Sequence, residues 1–288
     1  MRERGGDNMP TTYTPIRYPG GKTKIYPEIK AIMEKNCLVG HPYAEVFAGG
    51  AGLAVKLLMK GDVPSIIIND YDRAVYCMWN AIVNNGENMC KFVNDVPLDI
   101  DTWLSYREVY RSRDMADDFE LAKAAFYLNR TNVSGILGGG VIGGQAQTGN
   151  FKMYARFNRE TLCRKIKAIF ALKNSIRVTC LDAEEFISEE LQNPNVFAYL
   201  DPPYVQKGPG LYRSSFDEAK HRALANVVAQ CQSKWIITYD SDTLIEDIYA
   251  NYSSSNIDIP YTANVKTVGK EKIILGPGLE WPSGFTGN

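Results

Sequence analysis

YAEVFAGGAGLAVKLLMKGDVPSIIIND, residues 43–70, is the stretch on which the fold turns. Residues 43–47 read as a short strand, AGGAG (48–52) breaks it, and LAVKLLMKG (53–61) has the make-up of a helix. SIIIND (65–70) is a second buried strand that ends on an acid. Strand, glycine turn, helix and acid-terminated strand open a doubly wound α/β sheet, an arrangement that suits a nucleoside ligand. Outward from there, RYPGGKTK (17–24) is a glycine turn before the helix YPEIKAIMEK (26–35), and residues 71–85 form an amphipathic helix. The pattern resumes late in the chain. SIRVTCLD (175–182), VFAYLD (196–201) and WIITYD (235–240) each read as a strand ending in an acid, and KEKIILGPG (270–278) offers a last strand.

The middle is different. Residues 87–130 are charged and mostly helical, with Trp103, Tyr106 and Tyr110 at helical spacing. The stretch 134–149 holds seven glycines, each costing a helix about 1 kcal/mol against Ala, so it is expected as a loop that approaches a ligand or a partner. From 152 to 177 there are eight Lys/Arg against one acid, Glu160, in a chain whose formal net charge is −1. That near-neutral total excludes a uniformly basic coat but leaves room for one basic face.

A hydrophobic fraction of 45% fits a globular protein with a sizeable core. No apolar run is long enough to span a bilayer, and MRERGGDNMP lacks the apolar run of a signal peptide, so a cytoplasmic protein is expected, frayed over residues 1–14. The cysteines at 37, 77, 90, 163, 180 and 231 make no CxxC pair and read as reduced core thiols. Two histidines, His41 and His221, are too few and too scattered for a metal site, and His221 reads as a surface or packing residue of a helix.

The sharpest chemical signal is DPPY, residues 201–204, directly after the apolar run VFAYL. Pro202 and Pro203 remove two backbone donors and fix two φ angles, so the chain leaves the strand in a rigid turn. An amino group with two hydrogens wants two acceptors, and the Asp201 carboxylate and Pro202 carbonyl could supply them while Tyr204 offers a π-face for a base. Gly49, Gly50 and Gly52 allow close backbone approach to a ligand, although a dehydrogenase would use a similar turn. Asp70 could accept from both ribose hydroxyls, with Asp72 the fallback, or it is a solvated strand end. GGKT (20–23) fails as a phosphate-binding P-loop, because that motif needs glycine where Ile16 stands. Asp182 is open to two readings, a ligand contact and a helix N-cap with Glu185 in a capping box.

These motifs, in the order cofactor loop, insert, DPPY, resemble the Dam-like family of DNA adenine methyltransferases over about residues 17–275. RYPGGK resembles the family's N-terminal cofactor motif, EVFAGGAGL its FxGxG loop, IIIND its ribose-binding strand end, and NRTNVSGI (129–136) the Asn-Arg motif of its recognition region. The resemblance implies a Rossmann-like methyltransferase α/β sheet with helices on both faces and a smaller, mostly helical target-recognition insert. Residues 15–86 and 175–288 would form the catalytic domain and 87–174 the insert. It implies S-adenosylmethionine as cofactor, S-adenosylhomocysteine as product, and transfer to the exocyclic amino group of a flipped adenine, the chemistry of a restriction-modification enzyme. Tyr18 (where Trp is more familiar), Lys22, Phe47, Gly49, Gly50, Gly52, Asp70, Asp182 and Asp201 would meet the cofactor, with Lys22 pairing with the carboxylate of its methionine moiety. Asp201, Pro202, Pro203 and Tyr204 would be catalytic. Arg130, Asn132 and Gln145 or Gln147 would read base edges, and Lys152, Arg156 and Arg159 would meet phosphates. DNA is the implied partner, without membrane or metal and with a monomer as the default. The alternatives are a cytosine amino-group methyltransferase, which more often has Ser in place of the motif's Asp, and a catalytically silent DNA-binding relative.

Overall fold

Helix α1 (Tyr26–Lys35) leads into strand β1 (Tyr43–Glu45), helix α2 (Gly52–Lys60) and strand β2 (Ile66–Asn69), in the order expected from residues 43–70. The computed structural model describes residues 12–205, 216–263 and 265–285, with 258–270 described by backbone alone. Gly61, at φ +74°, ends α2 by donating its N–H to the carbonyls of Leu57 and Leu58, a left-handed cap that glycine adopts without a Cβ clash. Next come helix α3 (Arg73–Asn84) and four helices of the middle segment, α4 (Gly86–Asp95), α5 (Ile100–Arg111), α6 (Asp118–Thr131) and α7 (Arg159–Phe170). The chain then alternates through β3 (Ile176–Thr179), α8 (Ala183–Glu190), β4 (Phe197–Leu200), α9 (Glu218–Gln230), β5 (Lys234–Asp240) and α10 (Thr243–Ile248). It closes on a hairpin of β6 (Ser253–Ala263) and β7 (Val265–Leu275), whose first strand the sequence reading did not anticipate.

The strands lie in the order β3-β2-β1-β4-β5-β7-β6, parallel from β3 to β5, with β7 antiparallel to β5. This is the expected Rossmann-like α/β sheet. Its order reverses between β1 and β4, and a crevice at the carboxyl ends of those strands is where such sheets place a ligand. Alternation along each strand separates two cores. Tyr43, Phe197, Tyr199, Ile236, Ile273 and Leu275 face α1–α3, whereas Ala44, Ala198, Leu200, Ile237, Tyr239 and Ile274 face α8–α10. Helices thus cover both faces.

The helices of the middle segment own no separate core. Trp103, Phe126, Tyr127 and Ile166 belong to the same cluster as Ile66 and Ile68 of the sheet, with α3 packed between. Residues 1–11, expected to fray, lie outside the described residues. Thr14, included in that expectation, is buried. Cys77, Cys90 and Cys163 are buried thiols, but Cys37 is exposed and so is not a core residue. His221 is fully buried against Phe216 and Tyr239, and burial pushes its pKa down. Among the described residues no helix is long and apolar enough to cross a membrane.

Candidate active site

The pleat that separates the two cores also gathers the site. Counting by twos from Tyr43, Phe197, Ile236 and Ile273, the side chains of Glu45, Tyr199, Asp201, Thr238 and Glu271 fall on the face covered by α1–α3. Four strands therefore deliver polar groups to one end of an otherwise apolar surface.

At the first of these strands, Glu45 accepts from Ala54 N–H at 2.9 Å and from the Tyr43 hydroxyl at 3.1 Å, holding the start of α2 against β1. Burial pushes its pKa up to about 8. The glycine turn follows. Gly49 has φ +46°, and Ala51, with a Cβ, is held at φ +40°, a backbone conformation that costs a side-chain-bearing residue about 1–2 kcal/mol. The Gly49 carbonyl accepts from Trp79 Nε1 at 2.8 Å. A Cβ at Gly49 would lie 2.6 Å from the Tyr18 ring and one at Gly50 2.9 Å from Tyr18 Cβ, while one at Gly52 would collide with the Thr23 hydroxyl. The space these glycines open is thus filled by the segment around Tyr18 and Thr23.

Asp70 stands across the crevice. Its Oδ2 accepts from Gly49 N–H at 2.8 Å and its Oδ1 from Asp72 N–H at 2.9 Å, so β2 is tied to the glycine turn. Burial raises its pKa to about 7. Asp72 is the N-cap of α3, accepting from Ala74 N–H at 2.9 Å. Asp182 is likewise an N-cap, for α8, through Glu184 N–H at 2.9 Å. Its carboxylate therefore bonds the amide two residues on, not that of Glu185 as a capping box would have it.

The DPPY turn carries the densest network. Asp201 Oδ2 accepts from Lys22 Nζ at 2.7 Å, and Oδ1 accepts from the Thr238 hydroxyl at 3.0 Å and the Tyr204 hydroxyl at 3.3 Å. Lys22 Nζ also lies 2.6 Å from the Tyr204 oxygen and 3.4 Å from Glu271 Oε2. The Tyr204 hydroxyl lies 2.6 Å from Glu271 Oε1. Two carboxylates thus share one buried ammonium, and burial raises the pKa of Glu271 against the opposing pull of Lys22. Tyr204, buried beside both carboxylates, has its pKa raised far above the usual phenol range and stays neutral. Behind the turn, Tyr199 and Thr238 share a hydrogen bond of 2.7 Å.

One cavity of about 1290 Å³ joins the two halves. Tyr18, Lys22, Phe47, the glycine turn, Asp70, Asp72, Asp182, Asp201 and Pro203 line it, together with residues 135–139 of the glycine-rich stretch. Pro202 and Tyr204 are buried behind that wall. The expectation of an open stacking face on Tyr204 is therefore corrected, because its hydroxyl is drawn inward by Glu271 and Lys22. Phe47 and Phe216, with ring centroids 5.9 Å apart, are the aromatic pair on the wall. Lys22 likewise faces a carboxylate of the protein itself, an arrangement the sequence reading missed along with Glu45, Thr238, Phe216 and Glu271.

Five residues expected at DNA prove to be tied into the fold. Asn132 is fully buried, accepts from Trp103 Nε1 at 2.7 Å and donates to the carbonyls of Ile136 at 2.9 Å and Leu137 at 3.0 Å, so its amide has no hydrogen left for a base edge. Arg159 donates to the carbonyls of Val93, Asn94 and Val96, capping the last turn of α4. Arg130 donates to the carbonyls of Arg156 and of Pro15, the latter at 3.2 Å. Gln147 is spent inside its own loop, and Lys152 bonds the carbonyl of Gln147. Arg156 and Gln145 are exposed.

Residues 18–263 match the family described as D12 class N6 adenine-specific DNA methyltransferase. The chain is 23% identical over 248 residues to the type II methyltransferase M.CviBI of Paramecium bursaria Chlorella virus NC1A, covering 85% of this chain and 90% of that one. Among solved structures it is similar to PH1948 from Pyrococcus horikoshii, at 10% identity and a TM-score of 0.40, over 90% of this chain and 83% of that one. It is also similar to TrmK from M. capricolum bound to S-adenosyl-homocysteine, at 8% identity and a TM-score of 0.39, over 86% and 68%.

Proposed function

The chain belongs to the D12 class of N6 adenine-specific DNA methyltransferases, and we propose that it methylates an adenine swung out of the duplex, using S-adenosylmethionine held between Asp70 and Asp201. The observation that carries this reading is the single cavity that Asp70, the glycine turn and Asp201 all line.

The donor set fits that cofactor. A carboxylate has about four acceptor sites, and Asp70 uses one on each oxygen for the amides of Gly49 and Asp72, which leaves one on each for ribose hydroxyls. Asp182 lines the same cavity and is the acceptor for the amino edge of the cofactor's adenine. Tyr18 and Phe47 give the wall its apolar surface. When bound, S-adenosylmethionine supplies a methyl group made electrophilic by its sulfonium.

The chain's own residues make the target nitrogen reactive. An aromatic amine is a poor nucleophile because its lone pair is delocalised into the ring. Asp201 has three acceptor sites committed to Thr238, Tyr204 and Lys22, so one remains for an N–H of the adenine amino group. The second acceptor is the carbonyl of Pro202, which links the buried Pro202 ring to Pro203 on the cavity wall. Together they hold the amino group with its lone pair aimed along the transfer path, and they stabilise the positive charge that develops on nitrogen. Lys22, Thr238 and Glu271 keep Asp201 in one rotamer, so little reorganisation is needed as that charge appears. No general base is needed, because the proton can leave the nitrogen after transfer. Phe47 and Phe216 offer the flipped base an aromatic face, offsetting the few kcal/mol of unstacking.

The test is to incubate the protein with tritiated S-adenosylmethionine and DNA of random sequence, then digest to nucleosides. Label in N6-methyldeoxyadenosine is expected, and label only in a methylated cytosine nucleoside would refute the reading.

A further inference from the structure

Residues 12–17 run past the end of α6 and the flank of α7, and basic side chains hold them there. Lys165 Nζ donates to the Thr14 carbonyl at 3.0 Å and the Thr12 hydroxyl at 2.9 Å. Arg130 reaches the Pro15 carbonyl, and Arg17 Nη1 donates to the Asn132 carbonyl at 3.2 Å. Asn129 fixes the backbone of Arg17 from both sides, accepting from its N–H at 2.9 Å and donating to its carbonyl at 2.6 Å. Arg156 closes the group, since its own carbonyl takes the Arg130 guanidinium. Arg164 is exposed on α7 beside Lys165.

Five cations therefore converge, and among the described residues none of them is in an ion pair with a carboxylate. Arg17, Arg130 and Lys165 donate to neutral carbonyls and a hydroxyl, which orient their heads without cancelling charge. The cost is visible on the half-buried members. Burial, then Arg17 and Arg156, bring Arg130 down to about 9, and burial, then Arg130 and Arg164, bring Lys165 down to about 8. Arg17 is lowered by burial and by Arg156. Like charges assembled at such cost, in a protein whose net charge is −1, fit an external polyanion.

The position says which one. Arg17 precedes Tyr18, whose ring packs on Gly49, and a Cβ at Gly135 would lie 2.7 Å from the Arg17 carbonyl. Both Tyr18 and Gly135 line the cavity. We propose that Arg17, Arg130, Arg156, Arg164 and Lys165 form one phosphate-binding site that grips the DNA backbone beside the nucleotide entering the cavity. This rests on the reading of the chain as a DNA methyltransferase. Arg130 and Lys165 are the fixed base of the site, and Arg17, Arg156 and Arg164 each meet a phosphate. Arg17 joins the DNA surface to the cofactor motif it opens.

The experiment measures affinity for a fluorescent 24-base-pair duplex by anisotropy across a series of salt concentrations. The slope of log K against log[salt] is expected to shrink by about 0.9 for each of Arg17→Gln, Arg156→Gln and Arg164→Gln, and by about 2.7 in the triple variant. Arg222→Gln serves as control, because Arg222 lies on α9 and pairs with Glu218 and Asp247. Unchanged slopes in all three single variants of a wild type that methylates adenine would overturn the proposal alone. A wild type that transfers no methyl to DNA would instead overturn the reading on which it rests. Arg164 is exposed and has no hydrogen bond to lose among the described residues, so its variant stays decisive even where another variant misfolds.

Discussion

Lys22 Nζ stands 2.7 Å from Asp201 Oδ2, although the two residues are 179 positions apart in the chain. The same ammonium reaches Glu271, so the motif that opens the cofactor site also holds the acid of the DPPY turn. Asp201→Asn removes the charge while leaving Lys22 its second carboxylate. Methyl transfer should fall roughly 10²–10³-fold, the range for losing one preorganised polar group, while the protein still melts cooperatively. Tritium incorporation together with a thermal melt checks both halves, and near-normal turnover refutes the role of Asp201.

Tyr204 distinguishes a hydrogen-bonding hub from a stacking platform. Phe keeps the ring and deletes only the oxygen that bridges Lys22, Glu271 and Asp201. If that bridge holds Asp201, Tyr204→Phe should lower kcat about tenfold or more at unchanged cofactor affinity, since one net hydrogen bond of about 1.5 kcal/mol is lost. A kcat equal to wild type would return Tyr204 to stacking alone.

Asp70 gives cofactor binding a pH dependence. With its pKa raised to about 7 in the folded protein, its ionised fraction grows between pH 6 and 8, and the ionised carboxylate is the stronger acceptor for hydroxyl donors. Affinity for S-adenosylmethionine should rise about three- to fourfold across that interval, most of the roughly fivefold that a difference of about 1 kcal/mol between charged and neutral acceptors allows. In Asp70→Asn, calorimetry should find weaker binding and a flat pH profile. A slope retained in the variant would place the titrating group elsewhere.

Glu45 should show itself in stability. Its pKa is about 8 folded against an ordinary value of 4.5, so the folded state holds the proton more tightly. The stability this contributes is full below pH 4.5 and is lost as pH rises through 8. Glu45→Gln mimics the neutral acid, so its melting temperature should gain on wild type as pH rises across that window, by about 2–4 °C per kcal/mol recovered. A difference that does not change with pH would count against a buried neutral Glu45.

Asn132→Ala separates a structural amide from a base reader. It strands Trp103 Nε1 and the carbonyls of Ile136 and Leu137, each costing about 1–3 kcal/mol when buried and unpaired. Melting should therefore drop steeply while the salt dependence of DNA binding stays as in wild type. A normal melt with altered sequence preference would restore Asn132 to recognition.

The sheet was legible because its signals are local. The glycine turn at 48–52, the isoleucines of β2 and the apolar run before Asp201 each fit within one window, and their order is that of the folded elements. Some missed residues also left a mark. Glu45 interrupts the strand YAEVF and Thr238 interrupts the run WIITY, and a polar residue inside a buried strand is a signal of an inward-facing site. No comparable mark separated Asn132, Arg130 and Arg159 from DNA-reading residues. An Arg that caps a helix and an Arg that meets a phosphate are the same letters in the same kind of polar stretch.

By itself the sequence determined the element order from α1 to β5, the proline-stiffened turn after β4 and the acid at the end of β2, since each follows from torsional and burial preferences of neighbouring residues. Tertiary structure alone decided that Lys22 and Glu271 would meet at Asp201. That meeting depends on β7 pairing antiparallel to β5 with Glu271 opposite Asp240. A slip of one residue would turn Glu271 to the other face of the sheet, and only the packing of both faces fixes such a register.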